Sequence, residues 1–211
     1  MKGILFNTEM VRSILDGKKT QTRRLSGLED VNKTPDIWEF MGVKTLDYKT
    51  KKYYKGRLGA YFHTEKLEDR TTHVCPQVAR YQVGDTLYVR ETWQYYSTED
   101  DLGYCYKADA LIKNITYTDL DDEPIKWRPS IFMPKDAARI FLKVTDVRVE
   151  RLQDMKYSEF INEGIPYRQF ETDIQNDFIT LWNSIYQEKG YGWDINPWVF
   201  VYEFEKVEKP C

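Results

Sequence analysis

An α+β fold is what this chain predicts, and three observations carry it. Apolar and polar residues alternate over Leu87 to Thr92 and over Ala138 to Val149, and Trp198, Phe200, Tyr202 and Phe204 alternate with Val199, Val201, Glu203 and Glu205, the pattern of strands. A helical spacing appears instead at Met10, Val11, Ile14 and Leu15, and again at Ile174, Phe178, Leu181, Trp182 and Ile185. Between these, runs of strands follow one another with few helices to lay against them, which argues α+β. At 211 residues the chain is long enough for one domain with a proper core, and residues 28 to about 70 read as an insertion in it.

Gly3 to Asn7 is a short apolar run of strand type, and Asn7 or Thr8 stands where the first helix needs an N-cap. Gly17 is the expected C′ residue of that helix. There follows Lys18-Lys19-Thr20-Gln21-Thr22-Arg23-Arg24, four cations and two hydroxyls in seven residues. Thr20 and Thr22 favour an extended backbone, and the stretch is too polar for a core strand, so it predicts an exposed, donor-rich edge. Such an edge reads either as a solvated loop or as an anion site, with lysines as point charges and arginines as planar forks.

The segment from Leu28 to about Lys66 is polar and lysine-rich, broken by Thr34-Pro35 and Gly56-Arg57, and suggests a hairpin. Gly59 to His63 is a strand candidate, and Tyr81 to Asp85 a tight turn. The strand beginning at Leu87 follows, with Gly103 to Ala108 as its expected hairpin partner. Leu120 to Glu123 is an acidic loop. Pro129 and Pro134 forbid a helix across Trp127 to Pro134 and impose a stiff extended path. Ile140, Leu142 and Val144 alternate, and Val147 and Val149 resume after a slip at Thr145-Asp146, which predicts a bulge. Tyr157, Phe160, Ile161 and Gly164 mark a short helix with a glycine stop, holding Glu159 and Glu163 one turn apart. The bulge and the abundance of aromatics suggest a small, partly closed barrel.

Thirty-one basic and thirty-four acidic residues give a net charge of −3, so a nucleic-acid site here has to be a local patch. Cys75, Cys105 and Cys211 have no metal-ligand spacing, and with only His63 and His73 beside them they predict neither a disulfide framework nor a structural zinc. No run approaches the ~20 apolar residues of a membrane span. The start of the chain lacks the apolar region of a signal peptide, so a soluble, cytoplasmic protein is expected.

Several of these pieces together resemble the ASCH domain, a PUA-like β-barrel family, in a form often carried by phages. They are Gly17 to Arg24, similar to the family's G-x-K-x-x-T-x-R; Gly84-Asp85 with Leu87 to Trp93; Trp127-Arg128-Pro129-Ser130; Val144 to Arg148 with Glu163-Gly164; and Asn196-Pro197-Trp198-Val199. The resemblance implies binding of nucleic acid or of a modified nucleoside. For some small members it also implies hydrolysis of N4-acylated cytidine by a lysine, a threonine and a glutamate, which fall on Lys19, Thr22 and Glu163. Neither activity calls for a metal or another cofactor. The chain departs from its relatives at Phe132, where they tend to carry histidine, and at Lys135-Asp136, near which they carry an arginine-tryptophan pair. A protein partner held by the insertion is a further possibility.

For hydrolysis, Lys19 has to lose its proton, and its pKa, ~10.4 when unperturbed, has to fall through burial or the charges of Lys18, Arg23 and Arg24. Lys19 and Thr22 also have to converge, although residues three apart on a strand face opposite sides. For binding, Lys18, Lys19, Arg23, Arg24 and Arg128 are the candidate cations, and Trp93 and Trp127 are either core residues or stacking platforms. Glu91 reads equally as a cross-strand ion-pair partner and as a carboxylate of the cleft.

Overall fold

The computed structural model describes residues 1–46, 56–65, 72–97, 102–113 and 125–210. Its centre is a five-stranded sheet in the order β1-β6-β9-β10-β2, formed by β1 (Lys2–Leu5), β2 (Gln21–Arg24), β6 (Thr86–Arg90), β9 (Phe141–Arg151) and β10 (Trp198–Val207). Only β1 and β6 run parallel. β9 is the longest strand. Its register against β10 jumps from Asp146 to Val144, leaving Thr145 as the extra residue of a bulge where the hydrophobic alternation slips.

Both faces of this sheet are covered, and β10 shows why its sequence is apolar almost throughout. Phe200 and Tyr202 enter a core shared with Ile4, Phe6, Leu87 and Leu142, whereas Val199 and Val201 enter a second core with Phe160, Ile174, Phe178 and Trp182. The second core is supplied by α3 (Tyr157–Asn162) and α4 (Glu171–Tyr186), the latter burying its expected stripe through Ile174, Phe178 and Trp182. Helix α1 (Thr8–Leu15) is capped by Asn7, whose side chain accepts from Met10 N at 2.8 Å, and buries Val11 and Ile14.

The insertion is built into the core. It contains the hairpin of β3 (Glu39–Leu46) and β4 (Arg57–Glu65), and β5 (Thr72–Val78) adds a third strand at the edge, where Pro76 is tolerated. Leu28, Val31, Ala60 and Phe62 are fully buried, and the Phe62 ring meets Trp198 edge-on at 5.1 Å between centroids. Sequence reasoning misses one pairing: β8 (Leu102–Tyr106) pairs with β7 (Trp93–Ser97), not with β6, and runs on into α2 (Lys107–Lys113). The acidic loop at Leu120 to Glu123 and the side chains of His73, Cys75 and Cys211 lie outside the described residues. Pro129 and Pro134 each open a short 3-10 turn, and no α-helix crosses them.

The central sheet is not a closed barrel, since β1 and β2 are its edges. A flat five-stranded sheet would hold its edges about 19 Å apart. Here Arg24 Nη2 on one edge donates to the carbonyl of Leu5 on the other at 3.0 Å, so the sheet curls until a single side chain spans the gap. Among the described residues, no helix is long and apolar enough to cross a membrane.

Candidate functional site

The basic stretch divides into two environments. Helix α1 ends at Asp16, and Gly17 follows at φ 72°. The amides of Lys18 and Lys19 then both donate to Ser13 O, and Thr20 N donates to Asn162 O at 2.8 Å. This tight exit turns the Lys19 side chain inward. From the other side, α3 ends at Glu163, and Gly164 at φ 89° lets the chains touch; a Cβ there would stand 2.9 Å from Ser13 Cβ and 3.0 Å from Lys19 Cβ.

Lys19 is consequently buried against Glu163. Its Nζ donates to Glu163 Oε2 at 2.7 Å, to Glu163 O at 2.6 Å and to Gln21 O at 3.0 Å. Three acceptors for three protons describe an ammonium. Burial lowers the Lys19 pKa from its ordinary value, with Glu163 opposing the shift and Arg24 and Arg23 adding to it. Burial would push the Glu163 carboxyl up, but Lys19 and Arg23 outweigh it, and the net direction is down.

Arg23 continues the cluster. Its Nη1 lies 3.2 Å from Glu163 Oε1, its Nε 2.9 Å from Glu150 Oε1, and its Nη2 3.2 Å from Glu159 Oε2. Arg148 joins Glu150 and Glu159 and adds Glu203 at 2.5 Å. Three cations therefore face four carboxylates. The donor-rich edge expected at Lys19 and Arg23 is not exposed; it is saturated by glutamates from β9, α3 and β10, which leaves no room for an incoming anion. Lys18 does stand in solvent, paired with Asp16 at 3.0 Å.

Thr22, the third residue implied by the resemblance, is fully buried, and its Oγ1 has no hydrogen-bond partner among the described residues. The structure brings Lys19 and Glu163 together and forms no bond from either to Thr22 Oγ1. Glu91 is buried in a two-pronged pair with Arg139, Oε1 to Nε at 3.0 Å and Oε2 to Nη2 at 3.1 Å, so the ion-pair reading describes it. Burial raises its pKa, and Arg139 holds part of that rise back. Trp93 belongs to a third core cluster, with the exposed Arg128 guanidinium 5.4 Å from its ring centroid. Trp127 is half-buried.

Arg24 faces the second environment, a cleft of about 530 Å³ at the seam between the sheet edges. Its guanidinium lies 5.2 Å from the Phe6 ring centroid. Arg80 and Lys189 join it at the cleft, lying 5.6 Å from the Tyr81 ring and 5.4 Å from the Tyr186 ring. None of the three makes an ion pair with a described residue. Phe6, Tyr81, Tyr186 and Tyr202 supply aromatic wall, and burial raises the pKa of both Tyr81 and Tyr202, which keeps these phenols neutral. No described residue of the insertion lines the cleft. Arg80 and Lys189 escape sequence reasoning because each is an isolated cation in a turn, with no periodicity or motif around it.

The cleft and the buried cluster are neighbours. A recess of about 20 Å³ shares Met10, Arg24, Ile185 and Tyr186 with the cleft and has Arg23 and Glu163 in its wall. That is room for about one water molecule. Among the described residues, no group of histidine, cysteine, aspartate and glutamate is placed to hold a metal ion. In comparison with known proteins, no family model, no curated protein and no solved structure matches this chain.

Proposed function

We propose that this chain is an ASCH-type domain of the PUA-like class that binds nucleic acid through the seam cleft, and not through the buried part of the basic stretch. One observation carries the reading: in a protein of net charge −3, three cations free of carboxylate partners among the described residues converge on one aromatic-walled cleft. Arginine forks and a lysine suit a phosphate, and the tyrosine and phenylalanine faces suit a base. The curl of the sheet, which brings Arg24 to Leu5, supports the family reading of a partly closed barrel. A cytoplasmic location goes with this reading.

The test is a titration of the protein with a labelled single-stranded oligonucleotide at low and at physiological salt. Binding that weakens with salt and is lost in an Arg24→Ala, Arg80→Ala, Lys189→Ala variant supports the proposal. Equal binding by that variant would sink it.

A second reading, hydrolysis of N4-acylated cytidine, is favoured by the 2.7 Å contact of Lys19 with Glu163 and by the lowered Lys19 pKa. Against it stand the three bonds that hold Lys19 as an ammonium and the one-water recess, which is too small for an acyl group. Mass spectrometry of acylated cytidines incubated with the protein separates the two. Turnover abolished by both Lys19→Met and Thr22→Val would establish the enzyme, and an unchanged panel would leave binding.

A further inference from the structure

We propose that the loop from Pro129 to Pro134 extends the cleft by one base-stacking position at Phe132, so that the ligand is a single-stranded oligonucleotide and not a lone nucleotide or a duplex. The inference rests on the reading of the cleft given above. Phe132 is 69% exposed and Ile131 56% exposed, two adjacent apolar side chains standing in water on a segment whose backbone is firmly held. Phe132 N donates to Pro129 O at 3.0 Å, and Met133 N to Ser130 O at 3.1 Å. Met133 is buried, its sulfur accepting from Glu91 N at 3.1 Å, and Arg90 Nη2 donates to the carbonyl of Ile131. The backbone on both sides of Phe132 is fixed while its ring stands in water.

The loop is continuous with the cleft. Pro129 and Ser130 belong to the cleft wall, and Phe132 follows Ser130 by two residues within the same 3-10 turn. Arg90, which anchors Ile131, is the register partner of Leu5, itself a cleft residue. A strand whose phosphate sits among Arg24, Arg80 and Lys189 and which leaves along the wall at Pro129 and Ser130 passes this ring. Every base has a face to stack, so such a position tolerates any sequence. Duplex bases hide their faces against one another, and only an unpaired base can use the ring. A protein partner is the poorer fit: two apolar side chains fall far short of the roughly 800 Å² per partner of a stable protein interface, whereas the cations beside them suit phosphates.

The experiment measures fluorescence anisotropy of a labelled oligouridylate of about ten nucleotides, a length within the usual site size of single-strand binders, with uridine monophosphate and a duplex of equal length as competitors. Phe132→Ala is expected to weaken the oligonucleotide about tenfold or more, the usual loss for one stacked base, and to leave the mononucleotide unchanged. Phe132→Trp is expected to restore tight binding. Because the ring is exposed, thermal unfolding of both variants should match the parent. An oligonucleotide affinity within twofold of the parent in Phe132→Ala, or a duplex that competes as well as the single strand, overturns this inference while the cleft reading stands. If the parent protein binds neither oligonucleotide nor mononucleotide, the cleft reading falls and this inference with it.

Discussion

Lys19 Nζ lies 2.7 Å from Glu163 Oε2, with the lysine side chain wholly buried and the glutamate only 5% exposed. Desolvation makes such a pair a poor source of net stability, yet breaking it from one side is costly because the remaining charge is stranded. Glu163→Ala leaves both Lys19 and Arg23 facing the vacancy, and it should lower unfolding stability by about 3–5 kcal/mol in urea titrations. The carboxyl has a pKa below its ordinary 4.5, so the folded state prefers it ionised. Its contribution is therefore complete above the unfolded value and drains away as pH falls through the folded one. The stability gap between the parent and Glu163→Gln should thus be widest near neutrality and narrow below about pH 4. A gap that widens on acidification would contradict the ionised pair.

Thr22 offers a sharper contrast between the two functional readings. Its hydroxyl is buried without a partner among the described residues, and an unsatisfied buried polar group costs about 1–3 kcal/mol. Thr22→Val keeps the shape and removes that group, so the midpoint of chemical unfolding should rise or hold. Nucleic-acid affinity should not change, because Thr22 is not part of the cleft wall. Loss of binding in a stable Thr22→Val protein would place the ligand elsewhere than the seam.

Gly164 is where α3 is stopped and where it touches the loop after α1. Its φ of 89° and the 2.9 Å approach of a built Cβ to Ser13 act together. Gly164→Ala should cost about 1–3 kcal/mol through backbone strain, with more from the displaced contact. Gly17→Ala is the control, at φ 72° with open space around it, and its cost should be the smaller of the two. Differential scanning calorimetry of both variants checks the order.

Three cleft cations also fix how steeply binding responds to salt. On single strands each phosphate neutralised contributes about −0.7 to the slope of log K against log salt. Arg80→Ala and Lys189→Ala should each flatten that slope by roughly this amount. Lys18→Ala, which removes an exposed cation already paired with Asp16 outside the cleft, should leave it unaltered.

Features settled by neighbours in the chain were legible in the sequence. Asn7 caps α1, Gly17 and Gly164 end helices, and Thr145 bulges, because each depends on a few adjacent residues. The stripe of α4 likewise names its own buried face. The fate of the basic stretch was not legible. Lys19 and Arg23 look like solvated charges until Glu150, Glu159 and Glu163 arrive from more than a hundred residues away. Their burial is a property of the sheet order, which places β2 beside β10 and within reach of α3. Likewise β8 reads as the hairpin partner of β6 and pairs instead with β7, because pairing choice among short aromatic strands is decided by packing and not by pattern. Arg24 was legible as a cation of the basic stretch, but Arg80 and Lys189, its companions at the cleft, come from distant parts of the chain and are brought to it by the fold.

The bond from Arg24 to the carbonyl of Leu5 has a meaning beyond the cleft. Both residues belong to edge strands, whose unpaired amides and carbonyls are templates on which another chain can add. A guanidinium laid across the seam occupies that template while keeping donors to spare, since among the described residues it gives two bonds, to Leu5 O and Arg23 O. The residue proposed to meet a phosphate would thereby also guard the sheet against its own kind. Weakened at this point, the protein would reveal the loss first as self-association of intact molecules, well before its cores come apart.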